Sequence, residues 1–152
     1  SPTTTRRDRE VAESLAKDLK IDVSDYASKL FRAKSDVSDF SDAQLLRMDS
    51  KKYPIADLMF RVSVLETTEP DMIFRRKSSL IEAMETVCAE DSVDHVLFFV
   101  VDILREESTL FVPNKSVKKV AEKSFGVNVS DNSVLLPGVV SRKKQIIPNL
   151  KI

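Results

Sequence analysis

Six apolar residues stand in an unbroken row from Val96 to Val101, Val-Leu-Phe-Phe-Val-Val, and that row constrains the fold more than any other stretch. A β-strand sends successive side chains to opposite faces, so such a row makes both faces apolar at once. A strand of this kind must lie inside a sheet that is covered above and below. The row is too short to cross a bilayer as a helix, and no longer apolar run exists in the chain.

The surrounding pattern supplies the rest of that fold. Leu58, Phe60, Val62 and Val64 alternate with Met59, Arg61, Ser63 and Leu65, which predicts a second strand. Arg105 to Ser108 reads as a turn and Thr109 to Val112 as a strand, so a hairpin is expected there. Pro70 and Asp71 open a helical stretch with Leu80, Ile81, Met84, Val87 and Cys88 on one face. Ser116 is expected to cap a helix carrying Val117, Val120, Ala121 and Phe125, with Gly126 ending it. Val134–Leu136 and Val139-Val140 read as short strands split by Pro137-Gly138, and Gln145–Pro148 as extended.

The chain before Pro54 reads as helical. Thr5 can cap a helix whose stripe is Val11, Leu15 and Leu19, and a second helix carries Tyr26, Ala27, Leu30 and Phe31. Ser41 and Gln44 form a capping box before Leu45, Leu46 and Met48. The expectation is one α/β (α+β) domain over 1–152. It has a helical subregion at 1–52, then a mixed sheet flanked by helices at 53–152.

Scarce residue types exclude several chemistries. The 152 residues include two Gly, one His and one Cys. Two glycines cannot build a Gly-rich phosphate cradle, and one His with one Cys cannot make a zinc finger. Cys88 reads as a core residue and implies a reducing, cytoplasmic setting rather than a disulfide framework. Lys and Arg total 24 and Asp and Glu total 24, so the net charge is zero and nucleic acid is not an expected partner. No membrane segment is expected either.

The remaining candidates are local. Ser141-Arg142-Lys143-Lys144-Gln145 gathers three cations. If the segment is extended, Arg142 and Lys144 point one way and Lys143 the other; if it bends, the three can converge on an anion. A solvated basic edge strand is the plainer reading. Arg75-Arg76-Lys77 opposes the dipole of a helix starting there, and reads as a solvated loop before a helix starting near Ser78. Asp102, at a strand end, is either functional or a loop cap. His95 reads as a strand-end residue.

Leu135 to Pro148, with its Gly-Val-Val-Ser-Arg-Lys-Lys-Gln run, resembles the C-terminal signature of the family II, manganese-dependent inorganic pyrophosphatases. Ser1–Thr5, Ala33–Ser38, Glu66-Thr67 and Val101–Leu104 are similar to other stretches of that family, so the resemblance covers nearly the whole chain. It implies the second-type DHH-associated domain that closes over an N-terminal DHH domain. By that resemblance Arg142 and Lys143 bind the phosphate oxygens of pyrophosphate, and Ser141, Lys144 and Gln145 belong to the same motif. Manganese or magnesium would be held by the DHH domain, with none on this chain, which would be an inactive and monomeric piece of a longer protein.

One departure stands out. Where the family has a further phosphate-binding Lys, this chain has Leu58 or Met59. Arg61 lies two residues beyond Met59 on the same strand face; it either supplies the missing cation or is a surface-facing strand Arg. Two functions therefore stand side by side: the clamping domain of a pyrophosphatase, or a non-catalytic or diverged module for phosphorylated ligands or a partner within a DHH-type phosphoesterase.

Overall fold

The computed structural model describes residues 37–152, so the helices expected before Val37 lie outside the described residues. A turn of 3-10 helix at Val37–Asp39 leads into α1 (Asp42–Met48), β1 (Ser50–Ile55) and β2 (Leu58–Thr67). Helices α2 (Pro70–Phe74) and α3 (Lys77–Asp91) connect β2 to β3 (His95–Asp102). Then come β4 (Glu107–Phe111), α4 (Lys115–Phe125) and β5 (Ser133–Pro137). The chain closes with a π-helical turn at Arg142–Ile146 and a 3-10 turn at Ile147–Asn149.

The five strands lie in sequence order, β1-β2-β3-β4-β5. β2 and β3 are parallel and the other three pairs antiparallel, so the sheet is mixed. The parallel pair needs a crossover, which α2 and α3 supply. The apolar row behaves as its composition requires. Leu97, Phe99 and Val101 join a cluster with Phe60, Val62, Leu110, Val117, Val120 and Ile146. Val96, Phe98 and Val100 join another with Leu45, Leu46, Ile73, Leu80 and Met84. One face is thus covered by α4 and the C-terminal turn, the other by α1, α2 and α3.

Local signals account for most boundaries. Ser41 caps α1, its Oγ accepting from the Gln44 N–H at 3.1 Å while Gln44 Oε1 accepts from the Ser41 N–H at 2.7 Å. Gly126 ends α4 with φ 66°, a conformation that favours glycine. The cap of α4, however, is Asn114 rather than Ser116: its Oδ1 accepts from the Val117 N–H at 2.9 Å. Both residues are good caps, and the earlier one wins because the helix begins at Lys115.

Three further expectations need correction. Ser50–Ile55 is a strand that periodicity did not reveal, because Lys51, Lys52 and Pro54 sit on an exposed edge where such residues are tolerated. Val139-Val140 is not a strand. Gln145–Pro148 is helical rather than extended, since Ile146 must turn inward to reach the core, where it is fully buried.

The α1–α3–β2 contact is tied by charge. Arg47 donates to Asp91 from Nε at 3.0 Å and from Nη2 at 2.9 Å, and Arg61 Nη2 lies 2.9 Å from the same carboxylate. Arg47, and then Arg61, hold the Asp91 carboxyl below its usual range against the opposing effect of burial. A lowered carboxyl contributes stability that is complete above the unfolded pKa of about 4 and fades as pH falls through the folded value. Asp91→Asn is therefore expected to cost about 2 kcal/mol at neutral pH. In urea titrations run from pH 6 to pH 2, the gap between wild type and variant should close only in the acid limb; a gap independent of pH would refute the linkage.

Candidate functional site

The basic segment enters from β5 through Pro137 and Gly138, the latter at φ 77°. Gly138 donates its N–H to the Glu106 carbonyl at 3.0 Å, which fixes where the segment leaves the sheet. Ser141 then caps a tight turn: its Oγ accepts from the Lys144 N–H at 3.0 Å, and its carbonyl accepts from the N–H groups of Gln145 and Ile146. Gln145 folds back over the entry. Its Oε1 accepts from the N–H groups of Val140 and Ser141 at 2.8 and 2.9 Å, and its Nε2 donates to the Gly138 carbonyl at 2.7 Å. Ser141 and Gln145 thus spend their side chains on the shape of the turn.

The three cations divide accordingly. Arg142 turns toward the sheet and is 18% exposed. Its Nη1 donates to the carbonyls of Asp49 at 2.9 Å and Val62 at 3.4 Å, and its Nη2 lies 3.0 Å from Asp49 Oδ1. The two amino groups are held on one side, and the edge made by Nε and the outer N–H of Nη2 has no hydrogen-bond partner among the described residues. Lys143 and Lys144 are exposed beside it. The turn therefore presents one oriented guanidinium fork and two exposed ammonium groups, a combination suited to phosphate oxygens. The bent alternative for this segment is the one realised.

Arg61 is not brought to that turn. It alternates with Phe60 and Val62 along β2, so its side chain lies on the other face of the sheet, paired with Asp91 and donating to Ser50 Oγ at 2.6 Å. Its side chain is 14% exposed, so it is not surface-facing, and its Nε is buried without a partner among the described residues. Leu58 packs into the α4-side cluster, and Met59 packs against the other. Asp102 is a loop cap: its Oδ1 accepts from the N–H groups of Leu104 and Arg105, both at 3.1 Å. The His95 ring packs against Phe60 with centroids 5.4 Å apart. Cys88 is half-buried, and burial pushes its thiol up, which disfavours the reactive thiolate.

Asp49 is the residue that sequence reasoning missed. It lies 93 positions from Arg142, in a stretch with no distinguishing pattern, and only the fold brings the two together. Among the described residues no three His, Cys, Asp or Glu side chains converge in a set that could hold a metal ion. The described residues therefore do not fit a manganese centre. No described helix is long and apolar enough to cross a membrane.

Residues 28–152 match the DHHA2 domain family. A Deinococcus radiodurans protein named "Probable manganese-dependent inorganic pyrophosphatase" is 39% identical over 99% of this chain and 50% of its own length. A protein of the same name from Lactobacillus helveticus is 33% identical over 99% of this chain and 49% of its own. The crystal structure of a Methanococcus jannaschii protein described as a "putative family II inorganic pyrophosphatase" superposes with a TM-score of 0.71 at 31% identity. It covers 98% of this chain and 48% of that one. The chain spans about half the length of the curated relatives it matches, corresponding to their C-terminal half. The family match over residues 28–152, with relatives aligned over nearly the whole chain on the same mixed-sheet fold, identifies it as a DHHA2 domain, of the kind that forms the C-terminal half of family II inorganic pyrophosphatases.

Proposed function

We propose that this domain clamps pyrophosphate in a two-domain, manganese-dependent inorganic pyrophosphatase, with the metal-bearing DHH domain as its partner. Arg142 and Lys143 hold the phosphate oxygens, Lys144 adds charge at the rim, and Ser141 and Gln145 keep the turn in shape. Arg61 serves the fold rather than the anion, as its pairing with Asp91 supports. The observation that carries the reading is the division of labour in Arg142, whose one side is held by Asp49 and Val62 while its other edge has no partner among the described residues.

Pyrophosphate hydrolysis moves charge among phosphate oxygens, so the protein's main task is positioning and electrostatic stabilisation. Cations on a separate domain are weak in open solvent and gain strength once closure excludes water. The isolated domain is therefore expected to bind anions weakly and to hydrolyse nothing.

The packing of Leu58 and Met59 favours a second reading: a domain that binds phosphorylated ligands without supporting turnover, since apolar side chains packed on the core stand where the resemblance expects a cation. Imidodiphosphate, a non-hydrolysable pyrophosphate analogue, separates binding from no binding. At low salt, saturable amide shifts centred on residues 141–145, lost in Arg142→Ala/Lys143→Ala, are expected. Absence of saturable shifts would overturn the anion-binding reading on this chain. Pyrophosphate hydrolysis by the full-length parent then distinguishes the clamp from the non-catalytic module.

A further inference from the structure

Arginine is held here in an unusual balance. Asp49 meets Arg142 twice, with its main-chain carbonyl at 2.9 Å from Nη1 and its carboxylate at 3.0 Å from Nη2. Asp49 itself is fixed from behind: its carbonyl also accepts from the Val64 N–H at 2.9 Å, which continues the β1–β2 pairing by one residue. The carboxylate is 26% exposed on its side chain, so its reach is limited by packing as well as by chain geometry. A free arginine side chain samples many rotamers, and it must give up that freedom when it binds an anion. In this fold the sheet has already taken that freedom away.

Resting on the anion-clamp reading above, we propose that Asp49 is the positioning residue for Arg142. It holds the guanidinium by the side facing the sheet, and so offers the Nε–Nη2 edge to a bidentate phosphate. It touches no reacting atom. Its influence on a phosphate is split: the carboxylate charge repels the anion, while its ion pair orients the group that attracts it. Those two effects have opposite signs, which makes the role testable.

Imidodiphosphate binding to the 152-residue chain is compared for wild type, Asp49→Asn, Asp49→Ala and Asp49→Glu, with the Arg142 Nε–H resonance followed beside the backbone amides. Asp49→Asn keeps an oxygen acceptor and removes the charge, so it should bind at least as tightly as wild type. Asp49→Ala removes both and should bind about tenfold more weakly than Asp49→Asn, with loss of Arg142 Nε–H dispersion and unchanged amides in the core strands. Asp49→Glu keeps the charge but moves it by one methylene, and should also weaken binding. If Asp49→Ala binds as tightly as Asp49→Asn, or Asp49→Glu matches wild type, charge alone governs the site and the positioning role is overturned. If wild type itself shows no saturable binding, the clamp reading falls and takes this role with it. The stability of each variant is read separately by thermal melting; a lowered Tm with unaltered affinity would assign Asp49 to the fold alone and overturn the proposal.

Discussion

Replacing Phe99 by alanine is expected to lower the unfolding free energy by about 3–5 kcal/mol. Phe99 is fully buried on β3, the middle strand of the sheet. Its backbone neighbours are Val64 on β2 and Leu110 on β4, and its ring meets Phe125 of α4 edge-on at 6.0 Å. The void would be ringed by β-strand side chains that cannot shift without breaking ladder hydrogen bonds, so little collapse can recover the loss. Leu104, 74% exposed in the β3–β4 turn, should by contrast tolerate alanine within about 0.5 kcal/mol. Urea denaturation of both variants checks the pair; a loss below about 1.5 kcal/mol for Phe99→Ala would mean that α4 repacks freely onto the sheet.

Arg76→Ala is expected to cost about 2–4 kcal/mol, while Arg75→Ala next to it stays within about 0.5 kcal/mol. Arg76 sits between α2 and α3, and its guanidinium reaches back to the segment before α1. Nη1 donates to the Val37 carbonyl at 2.9 Å, Nη2 to the Phe40 carbonyl at 2.8 Å, and Nε and Nη2 to Asp42 Oδ1 at 3.1 and 2.7 Å. Removing it strands two main-chain carbonyls and a carboxylate at once, and stranded acceptors cost more than a simple lost contact. Arg75 is exposed. Chemical denaturation separates the two; equal small effects would show that the 37–42 segment holds without the arginine.

Arg76 also marks where sequence reading stops. Arg75-Arg76-Lys77 looks like a solvated basic loop because nothing adjacent in the chain could neutralise it. Its partners are 34 to 39 positions upstream. The same holds for Arg61, which meets Asp91 across a helix-to-strand contact, and for Arg142, which meets Asp49. Arginine's long stem and planar fork let it bridge distant segments, so its role is decided by what the fold puts within reach.

What the amino-acid order determined by itself is the part governed by period and by short-range hydrogen bonding. The Val96–Val101 row required a two-faced central strand, the alternation from Leu58 to Leu65 marked a second strand, and Ser41 with Gln44 opened α1. The Ser-Arg-Lys-Lys-Gln run announced an anion-binding candidate and the family it belongs to. Tertiary structure alone decided that Ser50–Ile55 is a strand, since an edge strand's polar residues carry no period. It also decided that the C-terminal run coils rather than extends, because Ile146 gains a fully buried place only by turning in. And it decided which of the cations are spent on the fold. A charge is committed to structure when the chain brings a counter-charge to it in a half-buried place, and spacing along a sequence does not encode that encounter.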